Sequence, residues 1–281
     1  MANSYFNIIT FLLTTLLYYT ILKPELTYNK TINPDEFQNY ISSNYMYLAI
    51  YFLLVLIVQF MVNASIISST CGGNITENMG AAGVFTFLPW TLIFGVIIVI
   101  LTIYPGFKSA FSDVIGYYWV SSSANRVLTE LLVNKEIDTS INTDISLTQE
   151  QKDKMQGAAD TILKICGNTS ILINQMVPQN FNEYWNLLNP LMKDKYKTSG
   201  AETDAIRNEL FDLVITRDNV GEFMWYMYTG ILLTSIVQLK ITSRGCANNP
   251  KTMEQNYQKF KESEEKAAAA KAQATNTTYT L

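Results

Sequence analysis

The chain has 281 residues, 48% hydrophobic and 16% charged, with a formal net charge of −4 and no histidine. Without imidazole it lacks the usual acid–base residue, the commonest metal ligand and every triad built on one. A pI near 5.0 gives no whole-protein case for nucleic-acid binding, and three cysteines, Cys71, Cys166 and Cys246, make neither a disulfide scaffold nor a zinc motif.

The averages describe two soluble domains, but the charges are segregated. Residues 1–104 hold only Lys23, Glu25, Lys30, Asp35, Glu36 and Glu77, and between Phe37 and Phe107 the one charged side chain is Glu77. A soluble surface must be solvated, so a stretch of that kind belongs in a membrane. Residues 105–222 carry a net −5 and residues 223–281 a net +3.

In chain order, four segments are long, apolar and uncharged: Tyr5–Leu22, Met46–Ser68, Gly83–Tyr104 and Phe223–Leu239. A bilayer core about 30 Å thick takes about 20 helical residues, with about 17 as the lower limit. The second and third segments meet this easily, and the first and fourth lie near the limit. Tyrosines and tryptophans at their ends suit interfacial anchoring. The first segment has no basic leader, and Tyr18-Tyr19-Thr20 is a poor cleavage site, so it reads as an uncleaved anchor. Pro89, inside the third segment, predicts a kink that neighbouring helices satisfy. Basic residues flank both sides, with Lys240, Arg244 and Lys251 on one and Lys23, Lys30, Lys108 and Arg217 on the other. They favour a cytosolic C-terminus only weakly.

Pro105-Gly106 ends the third segment with a turn. Phe107 is expected at the interface, Lys108 among lipid headgroups and Phe111 lying back on the membrane. The region 105–222 has apolar residues at helical period. Ser112 or Asp113 is placed to cap a helix carrying Val114 to Leu132. A second helix, capped by Thr148, follows the linker Asp144–Thr148 and stops at Gly167-Asn168. Shorter helices follow over Ile171–Met176, Asn180–Leu188 and Glu202–Ile215. Beyond Pro250 the chain is rich in Lys, Glu, Gln and Ala, with a short apolar stripe at Met253, Tyr257 and Phe260. It reads as a solvated helix, serving either as a docking element or as an exposed tail.

The expected fold is all-α, with four, or three, transmembrane helices, an inserted soluble helical bundle and a helical tail. The expected divisions are a membrane region at 1–104 with three spans, a helical domain at 105–222, a fourth span at 223–242 and a charged tail at 243–281. No catalytic, cofactor-binding or metal constellation emerges, and an enzyme is the least expected class. No ionisable residue lies in the middle of a span, whereas transport proteins usually need one. Gln59 and Asn63 share a helix face and suit hydrogen bonding between helices. Gly83, Gly95 and Gly230 suit close packing. Cys71 and Cys246 follow the second and fourth segments and so share a side and depth, which allows a disulfide, with free or acylated thiols as the alternative. Five glycosylation sequons occur, at Asn29, Asn63, Asn74, Asn168 and Asn276; Asn63 lies inside a span, Asn29, Asn74 and Asn168 are the candidate sites, and in so Asn- and Thr-rich a chain such sequons also arise by chance.

One stretch resembles a known group. It runs from Asn78-Met79-Gly80 through Pro89-Trp90 and Phe94-Gly95 to the segment from Pro105 through Gly106, Phe107, Lys108 and Ser109 to Tyr117. It resembles multi-pass membrane proteins of large cytoplasmic DNA viruses, which enclose an internal lipid membrane beneath an icosahedral capsid. The likeness covers about residues 78–134, a fifth of the chain, and carries no catalytic motif. It implies an inner-membrane virion component, assembled from host endomembrane, that touches minor capsid or other virion membrane proteins. Phe107, Lys108, Phe111, Met253, Tyr257 and Phe260 are the candidate contacts. The other functional expectations are a channel or transporter, a subunit of the apparatus with which a virus enters cells, or a host-membrane factor. Neither nucleic acid nor a small-molecule substrate is expected.

Overall fold

The computed structural model describes residues 5–71, 75–132, 168–243 and 250–275. Helix α1 (Phe6–Leu17) runs directly into a π-helical turn, Tyr18–Leu22. After a short extended link come α2 (Tyr28–Ile32) and α3 (Pro34–Cys71), an unbroken helix of 38 residues. The start of α3 is fixed locally. Pro34 sits at the first helical position, and Asn33 Oδ1 accepts from the backbone N–H of Asp35 at 3.1 Å. Asp35 and Glu36 complement the positive helix end. At about 1.5 Å per residue, α3 is far longer than a bilayer core, so it continues out into the helical domain.

Helix α4 (Ile75–Pro89) passes through a second π-helical stretch, Trp90–Gly95, into α5 (Val96–Ile103). The irregularity expected at Pro89 takes this form. A 3₁₀ turn, Pro105–Lys108, then reverses the chain, and a third π-helical segment, Ser112–Gly116, leads into α6 (Tyr117–Leu131). Neither Ser112 nor Asp113 supplies a side-chain cap there; Ser112 Oγ instead donates to Asp113 Oδ1. Helices α7 (Thr169–Gln175), α8 (Phe181–Leu188) and α9 (Asp194–Lys197) precede α10 (Ala201–Ser243), a single helix of 43 residues, and α11 (Pro250–Thr275). Asn168 caps α7, its side chain accepting from Ser170 N–H at 3.2 Å. The helix expected to follow Thr148 lies outside the described residues. Among the described residues there is no strand, only an isolated bridge between Leu132 and Met192.

The chain is an all-α membrane protein in which three helices are long and apolar enough to cross a bilayer: α3, Asn78–Ile103 and α10. The apolar helix Phe6–Leu22 is shorter and packs among them. Leu13, Leu53, Met61, Val84, Leu92 and Leu239 are exposed on the outside of this bundle, an apolar surface that lipid would cover. The expected boundary between residues 222 and 223 falls inside α10. The composition changes there because the surroundings change, but nothing between Ala201 and Ser243 stops the helix.

The membrane core is aromatic. Phe11, Tyr18, Tyr51, Trp90, Phe94 and Tyr226 are all buried, with Tyr18 stacked on Tyr51 at 4.5 Å. A separate core in the helical domain gathers Leu26 and Tyr28 with residues of α6, α7, α8 and the first half of α10. Deeper in the membrane, amides join the helices. Asn7 Nδ2 donates to Asn63 Oδ1 at 3.1 Å and to Gln238 Oε1 at 3.2 Å, Asn63 Nδ2 to Thr86 Oγ1 at 2.8 Å, and Gln59 Nε2 to the Asn7 carbonyl at 3.2 Å. These bonds tie α1, α3, α4 and α10 together, as interhelical polar groups do in lipid. Gly230 admits the Phe11 ring, whose nearest atom would lie 2.0 Å from an added Cβ, and Gly95 faces Phe52 at 3.2 Å. Gly83 is less confined, with its nearest neighbour at 3.8 Å.

Candidate functional site

The most unusual chemistry lies where the bundle meets the helical domain. Lys23 follows the π-helical turn that ends the first apolar helix. Lys108 closes the 3₁₀ turn after the third apolar segment. Asp218 and Glu222 lie four apart on α10, hence on one face, just before its apolar half. Lys23 Nζ is 2.5 Å from Glu222 Oε1, Lys108 Nζ is 2.7 Å from Glu222 Oε2, and Lys108 Nζ is 3.0 Å from Asp218 Oδ2. The four side chains are only 9–12% exposed. The Tyr19 hydroxyl also donates to Glu222 Oε1 at 3.0 Å, and Lys23 Nζ lies 4.7 Å from the Tyr19 ring centre, within cation–π range.

Two ammoniums and two carboxylates cancel, so the cluster is neutral as a whole, which buried charge requires. The lysines are held differently. Burial, aided by the neighbouring Lys108 ammonium, pushes the Lys23 ammonium below the ordinary lysine range, and the carboxylates of Glu222 and, more weakly, Asp218 do not fully offset it. Burial also works against Lys108, but Glu222 and Asp218 together outweigh it and hold its pKa above the ordinary value.

A second clamp sits beside the first. Arg217 is buried and donates to the Met176 carbonyl at 2.8 Å, to Asn174 Oδ1 at 3.2 Å and to the Ile173 carbonyl. It thereby satisfies the C-terminal end of α7. The π-helical segment crosses α10 at the same level. A Cβ on Gly116 would lie 2.5 Å from the Arg217 carbonyl oxygen, and one on Gly221 would lie 2.6 Å from Ser112 Cβ, so only glycine fits at either position. Three of the four cations flanking this side, Lys23, Lys108 and Arg217, are thus bound inside the fold.

A cavity of about 540 Å³ opens beside the cluster. Its walls include Lys23, Lys108, Asp218 and Glu222 together with Tyr18, Tyr40, Asn44, Leu48, Leu101 and Ile103. Among the described residues no group of three Cys, Asp or Glu side chains is placed to hold a metal ion.

The candidate contact residues separate. Lys108 was expected among headgroups, but the paired carboxylates of α10 draw it inside. Phe111 packs edge-on against Trp225 at 5.0 Å, so it supports α10. Phe107 stays exposed, its carbonyl accepting from Trp225 Nε1 at 2.9 Å. Tyr257 and Phe260 are exposed on α11, while the side chain of Met253 lies outside the described residues. Tyr118 and Trp119, in the first turn of α6, are 81% and 72% exposed; adjacent aromatics in the polar region after a span are the sequence signal for such a surface. Asn29 and Asn168 are exposed, and Asn74 lies outside the described residues. Cys71 is disulfide-bonded; Cys246 and Cys166 lie outside the described residues.

Comparison with protein-family models, with curated proteins and with solved structures finds no match to this chain.

Proposed function

We propose that this chain is a structural membrane protein that ties a helical domain rigidly to a lipid bilayer, and that its setting is the internal membrane of a large DNA virus. The observation carrying the first half is α10, whose residues enter both the domain core and the membrane core and whose crossing point is clamped by Lys23, Lys108 and the Arg217 contacts. The second half rests on the resemblance over residues 78–134. The exposed aromatics Phe107, Tyr118 and Trp119, with Tyr257 and Phe260 on α11, supply the surface for minor capsid or other virion membrane proteins. The role is mechanical rather than enzymatic.

The amides of Asn7, Gln59 and Asn63 bond to other helices, which favours this reading over a channel. Two measurements test it. Alkaline carbonate washing of membranes leaves an embedded chain in the pellet; release into the wash refutes the membrane role. Virions stripped by protease and opened with detergent release the chain with the lipid fraction, cross-linked to capsid-proximal proteins. Recovery from host membranes alone refutes the virion setting.

A further inference from the structure

We infer that the cavity at the membrane boundary binds the headgroup of one phosphatidylethanolamine molecule; this rests on the reading of the chain as a membrane protein. At about 540 Å³ the cavity falls within the usual size of small-molecule sites, roughly 300–1,000 Å³. Its wall changes character along its depth. Leu48, Leu101 and Ile103 come from the ends of apolar helices, whereas Lys23, Lys108, Asp218 and Glu222 form a charged floor. An amphiphile with a charged head matches that gradient, and lipid is the amphiphile present at this level.

Among the described residues, two buried polar atoms of the lining have no hydrogen-bond partner: the Tyr18 hydroxyl and Asn44 Oδ1. Tyr18 is fully buried. Leaving such groups unsatisfied is costly, so a ligand with complementary groups gains by binding there. Tyr18 has an O–H to donate, and Asn44 Oδ1 needs a donor. A phosphodiester oxygen accepts from Tyr18 and from lysine N–H groups. A primary ammonium donates to Asn44 Oδ1 and to the carboxylates, which a quaternary choline, having no N–H, does not.

Charge makes the same selection. The four floor charges cancel, and Glu25 also lines the cavity. A zwitterion adds no net charge to that enclosed site, whereas an anionic lipid brings an uncompensated negative charge.

The test is native mass spectrometry of the full chain, delipidated in detergent and offered dioleoyl phosphatidylethanolamine, phosphatidylcholine, phosphatidylglycerol or inorganic phosphate. One phosphatidylethanolamine is retained in preference to the other lipids, and phosphate is not retained. Tyr18→Phe and Asn44→Leu each lower that retention by about two- to tenfold. Neither lowers the thermal midpoint in lipid-free detergent, because neither atom has a hydrogen-bond partner to lose among the described residues. Equal retention of phosphatidylglycerol, binding of free phosphate, or retention unchanged in both variants overturns the inference. A chain that resists carbonate extraction yet retains no lipid overturns this inference alone and leaves the membrane reading standing.

Discussion

Replacing Glu222 by glutamine keeps the shape of the side chain and removes its charge. Lys108 retains Asp218 at 3.0 Å, but Lys23 loses the carboxylate with which it is paired. Because Lys23 is about nine-tenths buried, the expected cost is that of orphaning a buried charge, about 3–5 kcal/mol. Lys23→Met alone costs less, because Glu222 still has Lys108 at 2.7 Å. Combining the two changes removes the orphan, so the double variant recovers part of the loss, with a coupling of about 0.5–3 kcal/mol. Reversible unfolding in mixed SDS micelles measures all three variants against the parent. If Glu222→Gln unfolds within about 1 kcal/mol of the parent, or if the double variant loses the sum of the singles, the cluster is not a coupled buried unit.

Gly116→Ala drives a Cβ against the Arg217 backbone and loses about 1–3 kcal/mol, whereas Gly80→Ala, with nothing within 4 Å, is neutral or gains up to about 1 kcal/mol; the same unfolding assay orders them, and equal effects refute the close approach. Asn63→Leu strips partners from Asn7 and Thr86 and costs about 0.6–2 kcal/mol, with a gain in stability as the refuting result. On alkaline titration followed by ¹³C NMR of labelled lysines, Lys23 Cε moves at lower pH than Lys108 Cε. Because the folded pKa of Lys23 lies below its unfolded value, keeping Lys23 protonated rather than neutral costs stability at neutral pH, and this cost is relieved as pH rises through its folded pKa toward the unfolded one; a Lys23 signal that moves together with that of Lys108, or after it, contradicts this. Cys71, being disulfide-bonded, resists maleimide without reductant, and non-reducing peptide mapping recovers it joined to Cys246; recovery with Cys166 refutes that pairing.

The apolar segments were legible because lipid imposes one simple rule on composition. The amide contacts were legible too, since Gln59 and Asn63 share a face and have few options in lipid other than each other's neighbours. The charge cluster was not. Lys23 and Glu222 are 199 positions apart, and each looks like an ordinary residue flanking a span. One signal was available: Lys23, Lys108, Asp218 and Glu222 all fall at the same membrane face and sum to zero charge. Boundary residues that balance in this way are candidates for pairing with one another rather than with headgroups. The π-helical turns had no signature beyond Pro89, because an extra residue in a turn follows from tertiary packing. Gly116 and Gly221 stood outside the apolar segments, so they drew no attention as packing points.

Why charges occupy the crossing point, where leucines would pack as well, follows from helix geometry. Ile206, Leu210, Phe211 and Val214 of α10 sit in the domain core, and Tyr226, Leu233, Val237 and Ile241 sit among the membrane helices. Between them apolar side chains alone would let the helix slide, since one greasy contact replaces another at little cost. Moving α10 by one residue shifts Asp218 and Glu222 by about 1.5 Å along the axis and turns them by about 100°. That separates them from both lysines at once and forces Gly221 off Ser112. The pairs therefore fix how deeply α10 sits in the bilayer, a gain in register rather than in net stability. With Gly221 too confined to act as a hinge and no proline within α10, force on the helical domain passes into the span without slack. The proposed role of tying a helical domain to a bilayer requires that property, and a flexible linker would not provide it.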